Sequence, residues 1–400
     1  SATSGQFNTA IGARALDATT GVDKLTAVGY KALENNTTGT SNNALGANAL
    51  DANTTGSGNV AVGDNALGSN ITTDNNVAVG KSALFINTGA NNTAIGYNAL
   101  IFNQDVNNNT AVGSFCLDAN TTGTDLTAVG SSALSGNTTG SQNTAIGQAS
   151  LLSNSTGSNN TAVGDNAMLA NTTGGSNVAV GVNALDTCTT GGNNSCIGHN
   201  AGGAITTGSS NQIFGQNAGT GVTTGGGNTI VGSHTAQALT TGTNGGYFGG
   251  FCGPSASDVG TEYVIGFNIL GKGSNTFFAG PTGGVFHGGN TTTWSTTSDK
   301  RIKKNIISNK TGLETINKIE VKNFEYKTEE EIIIDNPELK DVVRSVAVKK
   351  QGLQLGVIAQ ELETILPECV STESTGIKTV NSDNLTWYLI NAIKELSAKV

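Results

Sequence analysis

The chain has 400 residues and a mass of 40.3 kDa, enough for two or three ordinary domains. Its composition excludes several compact enzyme cores, because 12 % of the residues are charged, 36 % are hydrophobic and 56 are glycine. The net charge of −9 argues against a nucleic-acid partner, which would need clustered cations. No apolar run approaches the ~18 residues of a membrane-spanning helix, so we expect no membrane insertion.

Charged residues are distributed unevenly along the chain. Residues 1–297 contain 5 basic and 13 acidic side chains, whereas residues 298–400 contain 15 and 16. This change of composition predicts a domain boundary near Thr297. The chain starts at Ser1 without Met, so we expect it to be processed or a fragment, with its attachment point upstream of Ser1.

A tripeptide of two apolar residues and a glycine recurs throughout the first section. Its glycines, called the repeat glycines below, are separated by 17 residues in fourteen of fifteen intervals and by 16 in the other. Sixteen such units predict a solenoid in which each unit is one coil. The repeat glycines are Gly12, Gly29, Gly46, Gly63, Gly80, Gly96, Gly113, Gly130, Gly147, Gly164, Gly181, Gly198, Gly215, Gly232, Gly249 and Gly266.

Each coil contains two short apolar stretches, whose positions are counted here from the repeat glycine. A small residue stands at position −2, a larger one such as Ile11 or Val28 at position −1, and Ala and Leu at positions +3 and +4. Asn, Thr and Gly lie between them, as is typical of turns. We therefore predict two short strands and two turns per coil, stacked in parallel about 4.8 Å apart into a rod of roughly 75 Å. So small a core per coil also predicts lateral association into an oligomer.

Asparagine forms two further columns. One occupies position +7 from Asn36 to Asn171, and the other occupies position −4, as in Asn8 and Asn59. Because Asn tolerates left-handed turns and bonds neighbouring backbone, these columns predict hydrogen-bonded ladders at the coil corners.

The repeat changes at the twelfth coil. Position +4 becomes Gly202 or Gly219, while position +7 becomes Ile205 or Val222, so the apolar bulk moves along the coil and predicts a remade packing surface. Aromatic residues then increase, with nine in residues 241–297 against seven in the preceding 240. Two interpretations stay open, namely a thicker core between chains and a sugar-stacking surface.

The repeat resembles the head of trimeric autotransporter adhesins, whose coils carry blocks like Asn92-Thr-Ala-Ile-Gly96. The resemblance covers residues 8 to about 270. It implies a left-handed parallel β-roll in a homotrimer.

The five cysteines include no Cys-x-x-Cys pair. Cys116, Cys196 and Cys252 take inner small-residue positions and read as buried hydrophobes, so a disulfide framework is not expected and assembly in a reducing cytoplasm fits. The three histidines fall in different columns, so we expect no metal site, and nothing in the chain calls for a cofactor.

The last hundred residues follow a different pattern. We predict a helix around 311–319, a strand over 321–326, an exposed loop around 328–342 and a short helix that ends at Pro367. A terminal helix follows, capped by Ser382. Its residues Leu385, Leu389, Ala392 and Leu396 have the spacing of a coiled-coil seam.

Three blocks of this section resemble the intramolecular chaperone domain of phage tailspikes and endosialidases, the peptidase S74 family. They are Ser298-Asp-x-Arg-x-Lys303, Gly356-Val-Ile-Ala-Gln-Glu361 with Leu366-Pro-Glu368, and Ala392-Ile-Lys-Glu-Leu396. The resemblance implies a domain that trimerises the fibre and then excises itself with a Ser-Lys dyad, which by position is Ser298 and Lys303.

The chemistry of such a dyad is reasonable, because a desolvated Lys can remove the proton of a Ser hydroxyl. We expect attack on the Thr297–Ser298 bond, with Gln360 and Glu361 as candidate auxiliary residues. A spacing of five places the two side chains on different faces of a strand or helix, so the dyad needs either a turn or Lys303 from a neighbouring chain.

Taken together, the sequence predicts a mostly β chain with a stalk over 1–270, a transition segment over 271–297 and a small α+β chaperone domain over 298–400. We expect a homotrimeric fibre or tailspike-like protein that binds a host receptor or glycan, attached to a virion or extracellular appendage. Its one enzymatic step would be single-turnover autoproteolysis. The alternatives are a bacterial surface adhesin, a polysaccharide-degrading solenoid using acids such as Asp17 and Glu34, and an ice-binding solenoid using Thr pairs such as Thr121-Thr122.

Overall fold

The computed structural model describes residues 5–104, 106–280, 285–288, 305–340, 351–372 and 377–399. The chain divides into two compact units, residues 1–296 and residues 297–400.

The first unit is a parallel β-solenoid, as predicted. Each coil contributes one short strand that pairs in parallel with the strand 17 residues later, so that Thr127 lies opposite Thr144 and Ala128 opposite Ala145. The strands are β1 (Thr9–Ile11), β2 (Thr26–Val28), β3 (Asn43–Leu45), β4 (Val60–Val62), β5 (Val77–Val79), β6 (Ile86–Asn87), β7 (Thr93–Ile95), β8 (Phe102–Asn103), β9 (Thr110–Val112), β10 (Thr127–Val129), β11 (Thr144–Ile146), β12 (Thr161–Val163), β13 (Val178–Val180), β14 (Ser195–Ile197), β15 (Gln212–Phe214), β16 (Thr229–Val231), β17 (Gly246–Phe248), β18 (Glu262–Ile265), β19 (Thr276–Ala279) and β20 (Val285–Gly288). Strands β6 and β8 pair separately, and β20 is antiparallel to β19.

The predicted second strand of each coil is wrong for most of the solenoid. Positions +1 to +5 form turns, in which Leu50 has φ 51° and Leu134 has φ 52°. Consecutive residues of a strand face opposite sides, yet Ala49 and Leu50 are both fully buried, so the chain has to turn between them. A left-handed Leu costs about 1–2 kcal/mol, which its burial offsets with about 1.5–3 kcal/mol.

The repeat glycines allow the coils to stack closely. Gly130 has φ 140°, a conformation that side chains rarely adopt, and a Cβ there would collide with the carbonyl oxygen of Gly147 in the next coil. The 17-residue tripeptide therefore marks a site where both the backbone angle and the packing require glycine.

Both asparagine ladders are present and fully buried. In the +7 column Asn53 Nδ2 donates to Asn36 Oδ1 at 2.8 Å. In the −4 column the Asn177 backbone N–H donates to Asn160 Oδ1 at 3.0 Å. The +7 ladder ends at Asn171, whose Oδ1 has no hydrogen-bond partner because the next coil has Cys188 at that position.

The change at the twelfth coil is an exchange inside the core. Ile205 and Ile213 are fully buried, and their side chains approach the space that a Cβ of Gly202 would take. Bulk lost at position +4 is thus replaced from positions +7 and −2. All five cysteines are free and buried, as their columns predicted.

The second unit is small and mixed. Its elements are α1 (Leu313–Ile316), β21 (Lys322–Phe324), α2 (Glu329–Asp335), a 3-10 turn (Pro337–Leu339), β22 (Gln354–Gly356), α3 (Ala359–Glu363), a second 3-10 turn (Pro367–Cys369), β23 (Val370–Thr372), β24 (Lys378–Val380) and α4 (Ser382–Ser397). Strands β21 and β22 pair antiparallel, as do β23 and β24. The core of the unit is Leu362, Leu366 and Cys369.

Two local expectations for this unit need correction. The exposed loop predicted around 328–342 contains α2, which starts with a capping box in which Thr328 and Glu331 bond each other's backbone N–H. The helix predicted around 311–319 is the single turn α1. No helix within the described ranges is long and apolar enough to cross a membrane.

Candidate functional site

The predicted catalytic and cleavage residues Thr297, Ser298 and Lys303 lie outside the described residues. The Ser-Lys dyad and its bond therefore stay predictions from the sequence. The structure does describe both candidate auxiliary residues.

Gln360 and Glu361 lie in the first turn of α3, with both side chains exposed, and the next residue, Leu362, anchors the helix in the core. Glu361 Oε1 accepts a hydrogen bond from Lys322 Nζ on β21 at 2.6 Å. Lys322 also lies 3.4 Å from Glu320 Oε2. The hydrogen bond to Glu361 is the main reason why the pKa of Lys322 is raised, so this lysine is held in its charged form.

A groove of about 410 Å³ runs beside this ion pair. Its walls include Ile319, Val357 and Ile365, with Gln360 and Glu361 at its polar side. The groove thus presents a carboxylate already paired with a lysine and an amide, which suits hydrogen bonding to a peptide segment. Within the described ranges no group of three His, Cys, Asp or Glu residues is placed to hold a metal.

The terminal helix α4 has two apolar faces, and only one is used within the chain. Leu385 and Tyr388 pack on the core of the unit, and Ala392 is buried. On the other side Leu389, Ile393 and Leu396 remain 49 %, 56 % and 52 % exposed.

The predicted coiled-coil seam is therefore corrected by the structure. Leu385 and Ala392 belong to the intramolecular face, because the unit needs them to close its own core. The residues left exposed at heptad spacing are Leu389, Ile393 and Leu396.

A column of apolar side chains follows the outside of the solenoid at position −1. Position −2 of the same strands points inward, as for the fully buried Ala145, so the alternation of a strand turns position −1 outward. Ile146 is 40 % exposed, Ile197 40 % and Val231 37 %. This column, called the apolar ladder below, consists of Ile11, Val28, Leu45, Val62, Val79, Ile95, Val112, Val129, Ile146, Val163, Val180, Ile197, Phe214, Val231, Phe248 and Ile265.

The ladder is a larger apolar surface than a solitary protein normally exposes. Sixteen such side chains expose on the order of 1,000 Å², against roughly 300–600 Å² for the largest patch on a typical monomer. The sequence analysis recognised these residues as apolar but missed their direction, although the strict alternation with the small residue at position −2 was the signal.

The repeated acids and threonines behind two alternative functions are engaged within the solenoid. Glu34 contacts Arg14 and lies 3.2 Å from Lys31, so it is already neutralised. The first threonine of each pair bonds the next coil, as Thr121 Oγ1 does with the carbonyl oxygen of Thr138 at 2.8 Å. These contacts favour a structural role for both columns.

Comparison with known proteins places the C-terminal section. Residues 298–371 match the Peptidase_S74 family model, described as the chaperone of endosialidase. No curated protein and no solved structure matches the chain. The resemblance to the S74 family is thus confirmed for this section, and the section before it is a long β-solenoid stalk.

Proposed function

We propose that the chain is the subunit of a trimeric extracellular fibre, of the phage tail-fibre kind, which attaches to a host surface. The endosialidase-chaperone match and the β-solenoid suggest a phage fibre-like structural protein. Trimerisation, adhesion and self-cleavage are the proposed extensions of that statement, as is a location on a virion or appendage after assembly in a reducing cytoplasm.

The apolar ladder carries the proposal. It is straight, uninterrupted and uncharged over sixteen coils, and three copies arranged around a common axis would bury it along its whole length. An exposed surface on the order of 1,000 Å² per chain is what a stable interface between subunits provides.

Equivalent coils create a problem of alignment that a chaperone domain would solve. Because the ladder repeats every 17 residues, two copies shifted by one coil lose the contacts of only one coil in sixteen. The C-terminal unit has no such repeat, and its exposed Leu389, Ile393 and Leu396 offer a second surface for a copy of the same chain. In this proposal three C-terminal units associate first and set the register of the stalks.

Self-cleavage would then make the assembly irreversible. Ser298 Oγ attacks the carbonyl carbon of Thr297 while Lys303 takes the hydroxyl proton and delivers it to the departing Ser298 nitrogen. Water hydrolyses the resulting ester, which restores the hydroxyl and leaves Thr297 as a new C-terminus. Loss of the chaperone removes the route by which the fibre formed, so the stalk is kinetically trapped.

The test of self-cleavage is a denaturing gel with intact mass analysis of the purified chain. Wild type is expected to yield fragments 1–297 and 298–400, whereas Ser298→Ala and Lys303→Ala stay whole. Ser308→Ala, from the same segment, is the matched control and should be cut normally. Cleavage of S298A as in wild type would contradict the assigned nucleophile.

Mixed assemblies distinguish the two arrangements of the dyad. If Lys303 acts on a neighbouring chain, trimers that combine S298A and K303A subunits should contain cut chains. If no chain in them is ever cut, the dyad lies within one chain.

A further inference from the structure

The last three coils of the solenoid present aromatic rings at outward positions +1 and +2. Phe251 is 50 % exposed and Phe267 is 68 % exposed. The His234 ring stacks on Phe251 with centroids 4.9 Å apart and an interplanar angle of 6°, and Phe267 meets Phe251 edge-on at 5.8 Å. His234, Phe251 and Phe267 are called the aromatic platform below.

The platform is held in place by its surroundings. Gly250 lies beneath Phe267, and a Cβ there would approach the ring to 3.3 Å, so the ring rests on the backbone of the preceding coil. Asn217 Nδ2 lies 3.1 Å from His234 Nε2, and Ser233 Oγ lies 2.8 Å from His234 Nδ1. Because the amide nitrogen donates, Nε2 accepts and Nδ1 carries the proton, which leaves the imidazole neutral.

A row of amides continues from the platform along the same column. Asn200 Nδ2 donates to Asn217 Oδ1 at 3.2 Å, and Asn217 in turn contacts His234. Successive members lie one coil apart, ~4.8 Å, which is about the length of one sugar ring. None of the residues in the row or the platform carries a charge.

Exposed flat rings beside uncharged amides are suited to carbohydrate. The apolar faces of a sugar ring pack on aromatic faces, and its hydroxyls exchange hydrogen bonds with amides. The bend at each repeat glycine separates this column from the apolar ladder, so the platform lies on a different face of the coil from the surface assigned to the trimer. The structure therefore favours the second of the two interpretations of the aromatic enrichment, for these three residues.

We infer that the aromatic platform and the amides of Asn200 and Asn217 form a binding site for a neutral glycan that runs along the solenoid. This inference deepens the proposed attachment function, on which it rests for its biological meaning. The sugar rings stack on Phe251 and Phe267, and the row of amides binds hydroxyls from the adjoining sugar residues.

The test is saturation-transfer NMR on the full chain with neutral hexasaccharides of β-linked glucose, β-linked N-acetylglucosamine and α-linked mannose, and with oligosialic acid as the acidic comparison. Wild type is expected to bind at least one neutral member, and Phe251→Ala and Phe267→Ala to weaken that binding about tenfold or more. Phe115→Ala is the matched control, because Phe115 and Tyr97 form another exposed edge-on pair, at 5.2 Å, without a stacked imidazole.

The inference is overturned if no neutral hexasaccharide binds at roughly 1 mM, if only oligosialic acid binds, or if the platform variants bind like wild type. Sedimentation of the same samples separates this result from the fibre proposal. Glycan binding by a wild-type chain that sediments as a monomer would refute the trimer and leave the glycan site standing. Dissociation of a wild-type trimer by Phe251→Ala would assign the rings to the subunit interface and refute the glycan site.

Discussion

Replacing Ile146 with Asn in the apolar ladder is expected to weaken association between chains while leaving the coil folded. Ile146 is 40 % exposed in the single chain, which leaves roughly 70 Å² to be buried and about 2 kcal/mol of hydrophobic stabilisation per chain. A trimer contains the substitution three times, so the loss is about 6 kcal/mol per assembly. Because the side chain points outward, the stability of the isolated coil should change by less than about 0.5 kcal/mol.

The assay is sedimentation equilibrium combined with thermal unfolding of the full chain carrying Ser298→Ala, so that cleavage does not mix species. Thr139→Asn is the control, because Thr139 is exposed at position +9 of a neighbouring coil and lies outside the ladder. The expected result is dissociation at a higher concentration for I146N alone, with unchanged circular dichroism. Equal dissociation of I146N and the control would refute the assignment of the ladder as the interface.

Four further predictions concern the stability and charge of the fold. Asn137→Ala should destabilise the solenoid about 1–2 kcal/mol more than Asn171→Ala in urea unfolding, because Asn137 both donates to Asn120 and accepts from Asn154 whereas Asn171 Oδ1 accepts nothing; equal losses would contradict the ladder. Leu134→Ala should lower stability by about 2–5 kcal/mol through the cavity it leaves, read from the melting temperature, and a loss below 1 kcal/mol would contradict its core position. Burial raises the pKa of Cys188 and of Cys252 from 9.0 to about 11, so the unfolded chain releases these protons first and stability should fall as pH rises from about 9 to 11; the C188A variant should show a smaller fall. Glu361→Gln should lower the pKa of Lys322 toward its ordinary value, measured by NMR titration of its side chain, with Glu363→Gln as the control that leaves it unchanged.

The architecture of the stalk was predictable because a repeat averages over many copies of the same choice. A residue type that recurs at one position in sixteen coils has one structural explanation, so the buried Asn53 and the glycine at 130 could be assigned from their columns. The exchange between position +4 and position +7 was visible for the same reason, since Gly202 and Ile205 change together.

Features that depend on direction or on tertiary context were not predictable. The pair Ala49 and Leu50 reads as a strand, and only the closure of the coil shows that both must point inward through a left-handed turn. In α4 the heptad spacing of Leu385 and Ala392 is real, but the core of the unit takes that face, which moves the exposed seam to residues such as Ile393. The ion pair between Lys322 and Glu361 joins residues 39 apart in sequence, and no local pattern announces it.

The native mass of the full-length Ser298→Ala chain, measured by sedimentation equilibrium, tests the central claim most directly. If three apolar ladders meet along one axis, a single species of three times 40.3 kDa is expected. A species of 40.3 kDa across the accessible concentrations would contradict the account, because the ladder would then be exposed in the native molecule.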